Sequence, residues 1–187
     1  MKELSLNVLD IVQNSLTAGA SLVKITLAED EEGILTLSVA DNGKGMSKEI
    51  LEGVTNPFYT TRTTRNVGLG IPLLKLAAEQ TGGNLKIVSK EKGEGTTDHG
   101  TVITATFDTN SIDFTPVGDM ISTVCSLVQR GGDVDFEYSH QTPRGSVCVE
   151  TAQMREMLGE DIPLNSFEVL EWLKEYLTEQ YNVLKAN

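Results

Sequence analysis

The residues with chemistry in them fall into three short runs. Asp10 and Asn14 stand four apart in a stretch whose apolar residues recur every three or four positions, so a helix would put a carboxylate one turn before an amide. An asparagine oxygen can ligate magnesium while phosphates and waters complete its octahedron. A carboxylate one turn away could orient or deprotonate a water attacking a terminal phosphate. Asp41-Asn42-Gly43-Lys44-Gly45-Met46 follows an alternating apolar stretch, and Val67-Gly68-Leu69-Gly70-Ile71 lies downstream. Glycine has no side chain to hold a ligand off and tolerates positive φ, so such turns often cradle nucleotides. Alone, either glycine cluster is weak evidence, and Asp10 with Asn14 reads more simply as a solvated helix face. Their order and company make the signal.

The elements that must position these residues follow from periodicity. Leu4, Val8, Ile11, Val12 and Leu16 mark one buried stripe of a helix over 2–18, with Asn7, Asp10 and Asn14 on another face and Gly19 as its stop. Alternation predicts strands over 22–28 and 34–39 around an acidic turn. Ser47 is placed to cap a short helix ending at 53, and 55–67 reads as a mobile loop. A second long helix is expected over 69–80, with Pro72 tolerable in its first turn and Gly82-Gly83 closing it. Strands over 84–89 and 101–107 flank a glycine-rich connection. After a junction at 108–116 come a helix over 117–129, strands near 134–138 and 147–150, and more helix. Asn165 and Glu168 have capping-box spacing ahead of a last helix whose apolar face carries Phe167, Leu170, Leu173, Leu177 and Leu184. Trp172 and Tyr176 most simply pack there as core.

Composition bounds what this arrangement can serve. The 187 residues fit one generous domain or a compact domain with a small appendage. A net charge of −12 with no Lys or Arg cluster argues against nucleic acid. It does not exclude ATP, because helix N-termini and bound magnesium make a local electropositive field. No apolar run approaches the roughly 20 residues of a membrane helix, and the opening residues lack a secretory pattern, so a cytoplasmic protein is expected. Cys125 and Cys148 read as buried free thiols. His99 and His140 are the only histidines, and each reads as a surface residue.

Read together, the runs resemble the ordered boxes of the GHKL ATPase superfamily, which includes gyrase, the heat-shock chaperone, histidine kinases and MutL. The stretch 9–21, Leu-Asp-Ile-Val-Gln-Asn-Ser-Leu-Thr-Ala-Gly-Ala-Ser, is similar to the N box in its MutL version. Asp41 to Met46 resembles the G1 box, and Asn56-Pro57-Phe58-Tyr59-Thr60-Thr61-Arg62 the F box of histidine kinases. Val67 to Lys75 resembles their G2 box, and Gly100-Thr101 the last contact segment. The resemblance covers roughly residues 3 to 107. It implies an α+β fold of the Bergerat type, a two-layer sandwich with helices on one face of a mixed sheet. The ATP-binding domain would occupy 1–110, with 111–187 as a smaller α/β appendage of unread role.

By that resemblance, Asp41 accepts a hydrogen bond from the adenine amino group, and Gly43 and Gly45 let ring and sugar approach the backbone. Asn14 holds magnesium against the phosphates, while amides around Gly68 and Gly70 meet the phosphates at a helix N-terminus. Thr101 bonds adenine directly or through a water, and Met46 and Leu69 count with these nucleotide contacts. Arg62 or Arg65 could clamp the terminal phosphate from a lid, to which Phe58 belongs. Asp10 stands where hydrolysing members usually have Glu, Asn66-Val67 precede Gly68 in place of a Gly-Ser-Gly or Gly-Thr-Gly opening, and the MutL continuation after the G1 box is missing. No histidine sits on a helix ahead of the nucleotide boxes, so phosphorylation in cis is not expected. Two functions fit. One is a kinase acting on a separate protein, or a slow ATPase, in signal transduction. The other is a catalytically weak, nucleotide-gated interaction module. Expected partners are ATP and a protein partner or phosphoacceptor; the appendage would suit docking or a homodimer.

Overall fold

The computed structural model describes residues 3–54, 69–95, 97–159 and 161–186. Helix α1 (Leu4–Thr17) forms where the apolar stripe requires it, with Leu4, Val8, Ile11 and Val12 sealed from solvent. Strands β1 (Leu22–Glu29) and β2 (Ile34–Asp41) pair antiparallel, and their alternate residues Val23, Ile25, Leu27 and Leu35, Leu37, Val39 face the same core. The short α2 (Lys48–Gly53) is capped by the Ser47 hydroxyl, which accepts from the Ile50 amide. Helix α3 (Gly70–Gln80) precedes β3 (Leu85–Lys90) and β4 (Gly100–Asp108), the latter pairing with β2. Then come α4 (Met120–Gly131), β5 (Asp135–Thr142), β6 (Gly145–Glu150), α5 (Thr151–Leu158) and α6 (Phe167–Ala186).

The strands make one sheet in the order β3-β4-β2-β1-β5-β6. It is mixed because β5 runs parallel to β1, with Val23 opposite Phe136 and Leu27 opposite His140. Apolar alternation is on one face only, so the helices gather there: α3 over β3 and β4, α1 over β2 and β1, α4 over β5, α6 over β6. The other face is largely polar, with Lys24 paired to Glu137 at 2.7 Å and Ser38 beside Thr104. This is the expected α+β two-layer architecture. The boundary expected at residue 110 falls between β4 and α4, and the sheet runs across it. No described helix is long and apolar enough to cross a membrane.

Four details differ from expectation. Helix α4 starts at Met120, three residues late, because Pro116 and Val117 use their carbonyls to accept the Leu4 and Ser5 amides of α1. Asp119 then caps it, accepting from the Ser122 amide at 2.9 Å. Helix α6 starts at Phe167, and its first turn closes on the Ser166 carbonyl rather than on Asn165. Cys148 is exposed, since its place on β6 points away from the helices, and Cys125 is half-buried; both are free. Trp172 is 48% exposed and stacks on Tyr176, which does pack against the core, while Leu173 and Leu177 take the buried positions.

Candidate nucleotide site

Asp41 ends β2 on the face that carries Leu35, Leu37 and Val39, so its side chain stands at the end of the core stripe beneath α1. The Ser15 hydroxyl of α1 donates to Asp41 Oδ2 at 2.8 Å, and the Gly43 amide donates to Oδ1 at 2.8 Å. Both oxygens are thereby fixed, yet a carboxylate oxygen has room for a second hydrogen bond. The carboxylate is an oriented acceptor. Thr101 lies opposite Asp41 across the β2–β4 pair, hence on the same face. Its hydroxyl is 2.8 Å from that of Ser89, which also donates to the Gly100 carbonyl and accepts from the Met46 amide. Thr101, Ser89 and Met46 thus form one hydrogen-bonded rim, and Asp41 stands beside it across the β2–β4 pair.

The glycines have structural work of their own. Gly45 has φ +68°, and a Cβ there would overlap the Lys90 carbonyl. Its absence lets the Asp41–Met46 turn lie on the end of β3, where the Lys92 amide donates to the Lys44 carbonyl. Gly100 has φ +134° and sits directly against the Asp41 carbonyl. Gly43 is buried against Ala18. A Cβ on Gly70 would lie 2.8 Å from that of Asp10, so the bare first residue of α3 seats that helix on α1. Leu69 supplies no side-chain cap to α3 and is 42% exposed. Pro72 brings no amide to the first turn, so the amides of Gly70 and Ile71 lead the helix, a favourable end for negative charge.

Helix α1 links the two groups. Asp10, exposed, faces the start of α3; Ser15 reaches Asp41; Asn14, half-buried, stands between them on the same helix. Asp10, Asn14, Asp41, Gly43, Gly45, Met46, Leu69, Gly70 and Thr101 therefore line one end of the sheet and the α1–α3 junction beside it. Phe58, Arg62, Arg65 and Gly68, with the loop expected over 55–67, lie outside the described residues.

Three supporting residues escaped the sequence reading. Ser15 carried a signal: a hydroxyl on the stripe of Leu4, Val8, Ile11 and Val12 needs a buried partner. Asn42 accepts the Ser21 and Leu22 amides at 2.9 Å each, tying the start of β1 to the Asp41 turn. His99 places Nδ1 2.7 Å from the Gly43 carbonyl, which requires Nδ1 to carry the proton. His140 is not the surface residue expected. It is 6% exposed, with Nε2 2.9 Å from Glu29 and Nδ1 2.9 Å from the Tyr181 hydroxyl, so both ring nitrogens are engaged.

Comparison with known proteins identifies the family. Residues 2–111 match the family model described as histidine kinase-, DNA gyrase B-, and HSP90-like ATPase. The sensor histidine kinase ZraS of Escherichia coli K12 is 33% identical over 76 residues, covering 41% of this chain and 16% of that protein. CpxA of the same organism, also a sensor histidine kinase, is 34% identical over 82 residues, 41% of this chain and 18% of its own. Sporulation kinase E of Bacillus subtilis is 30% identical over 99 residues, 53% and 13% respectively. The chain thus spans under a fifth of these relatives' length. A crystal structure of the N terminal domain of a DNA repair protein superposes with a TM-score of 0.54 at 15% identity, over 80% of this chain and 52% of that one, a likeness of fold alone. With more than half of its residues inside the family match, the chain belongs to the histidine kinase-, DNA gyrase B- and HSP90-like ATPases, a membership that implies ATP binding.

Proposed function

We propose that this chain binds Mg-ATP between the Asp41–Thr101 end of the sheet and the α1–α3 junction, in the cytoplasm, and uses it to phosphorylate a separate protein or hydrolyses it slowly. The observation that carries the reading is the Asp41 carboxylate, oriented by Ser15 and Gly43 with acceptor capacity left over. An acceptor there suits the amino group of adenine and opposes the carbonyl of guanine. Gly43, Gly45 and Met46 would flank the base and sugar. Gly68, Leu69 and Gly70 would present amides to the phosphates, and Phe58, Arg62 and Arg65 would belong to the lid. No group of three or more His, Cys, Asp or Glu suited to a metal occurs among the described residues. Magnesium would therefore rest mainly on nucleotide phosphates, with the hard Asn14 amide oxygen as its protein ligand, where it neutralises phosphate charge. Asp10, one turn from Asn14, would take the proton of an attacking hydroxyl or water.

Calorimetry tests the binding. Mg-ATP should release or absorb heat in a saturable way, Mg-GTP should not compete, and Asp41→Asn should weaken ATP about tenfold or more, the value of one hydrogen bond to a charged acceptor. Absence of heat with Mg-ATP overturns the assignment. A nucleotide-gated module without useful catalysis is the second reading. Asp10 in place of the longer Glu, and the full engagement of His140 within the core, favour it. Turnover separates the two: equal, near-zero rates for the parent and Asp10→Asn, with ATP still bound, indicate the gate.

A further inference from the structure

Far along the chain from the nucleotide residues, α5, the turn after it and the start of α6 enclose a groove of about 630 Å³. Met154 and Val169 form its buried floor, while Met157 is 74% exposed, Ile162 45% and Trp172 48%. Single exposed apolar residues are ordinary, but three converging on one groove are not. Methionine and tryptophan are enriched where proteins dock, one for its adaptable shape and the other for its area. Asp161 and Glu168 also line the groove, and neither forms an ion pair among the described residues. The cation of α5 is committed elsewhere: Arg155 bonds Asp135 and the Gly132 carbonyl. Seven acidic against three basic residues fall between 151 and 187.

We propose that this groove docks a basic amphipathic segment of a partner protein. Apolar side chains at helical spacing enter between Met157, Ile162 and Trp172, and Lys or Arg beside them meets Asp161 and Glu168. The charge selects this occupant. A second copy of the chain brings a net −12 to an acidic rim, and an anionic amphiphile meets the same repulsion.

Trp172 is the only tryptophan, so its emission reports the groove directly. The full chain is titrated with a synthetic helical peptide carrying leucines at i, i+4 and i+7 flanked by lysines, and with its isomer in which glutamate replaces lysine. The expected result is a saturable blue shift with the basic peptide and binding about tenfold or more weaker for the acidic one. Met157→Gln with Ile162→Gln removes apolar surface without touching charge and should weaken the basic peptide about tenfold. Asp161→Asn with Glu168→Gln should weaken it several-fold and leave the acidic peptide no worse. Neutralising the remote exposed pair by Glu31→Gln and Glu32→Gln should change nothing. No shift with either peptide, equal binding of both, indifference to the Met157–Ile162 pair, or a blue shift that grows with protein concentration alone would each overturn the proposal; the last would make the occupant a second copy.

Discussion

Asp41, the residue proposed to meet adenine, shows how much the aim of one carboxylate depends on its neighbours. Its two oxygens are aimed by Ser15 and by the Gly43 amide, and the turn carrying Gly43 is pinned by Asn42 and His99. Ser15→Ala should therefore act at a distance from nucleotide: ATP affinity falls roughly fivefold and stability by about 1 kcal/mol, the net value of one hydrogen bond. Calorimetry and urea unfolding read the two effects, and unchanged affinity would mean that the carboxylate orients itself. Gly100 makes a sharper case. Its φ of +134° and the Asp41 carbonyl beside it leave no place for a methyl group. Gly100→Ala should cost about 2–5 kcal/mol, combining backbone strain with overpacking. Gly95, at φ +74° with open space around it, should cost only about 1–2 kcal/mol on the same change. Similar losses for the two in urea melts would show that the Gly100 contact relaxes freely.

Among the elements, those with one buried face were legible: α1, β1, β2, α3 and β4 stand within two residues of where periodicity put them. Periodicity fails where a partner far along the chain decides. Helix α4 yields its first turn to the amides of α1. His140 is buried because Glu29 and Tyr181, 111 and 41 residues away, satisfy both its nitrogens. Trp172 looks like core by spacing, yet the core positions of that helix are already filled by Leu173 and Leu177. The site divides the same way. Asp41 and Thr101 could be read from local runs, whereas the contacts made by Ser15 and His99 span 26 and 56 residues. The displaced start of α4 carries a testable consequence. The Ser122 hydroxyl and amide hold the Asp119 carboxyl below its ordinary range. The folded state thus keeps Asp119 ionised at a pH where the unfolded chain has begun to bind the proton. Its stabilisation is present above the ordinary carboxylate range and is lost as pH falls through the lowered native value. Asp119→Ala should cost at most about 1 kcal/mol at pH 7, since the carboxylate is exposed. The gap to the parent should close toward acid; a gap independent of pH would exclude the carboxylate as the cap.

At the scale of the whole molecule, the family match ends near residue 111 but the physical unit does not. Strand β1 has β5 as its neighbour on one side, α1 rests on α4, and the first amides of α1 are satisfied by Pro116 and Val117. A second tie runs through the core from β1 to α6. Glu29 accepts from His140 Nε2, the Tyr181 hydroxyl meets Nδ1, and the Tyr138 hydroxyl meets that of Tyr181. With a neutral imidazole every hydrogen in this line has an acceptor: Tyr138 donates to Tyr181, Tyr181 to His140, His140 to Glu29. Burial pushes both phenols up, so neither ionises in ordinary solutions to break the line. Removing one member leaves others unpaired inside the protein, and that costs more than the bond itself gained. Tyr181→Phe should lower stability by about 1–3 kcal/mol, and probes on β2 and on α6 should still report one shared transition, because the sheet joins them. A chain cut after residue 110 loses the partner of β1, the cover of α1 and the acceptors for Leu4 and Ser5 at once. It should show no cooperative melt and should associate through the bared β1 edge. Circular dichroism and sedimentation of that fragment decide the matter: a sharp transition within a few degrees of the full chain, in a monomer, would prove the nucleotide half self-sufficient and the rest a passenger.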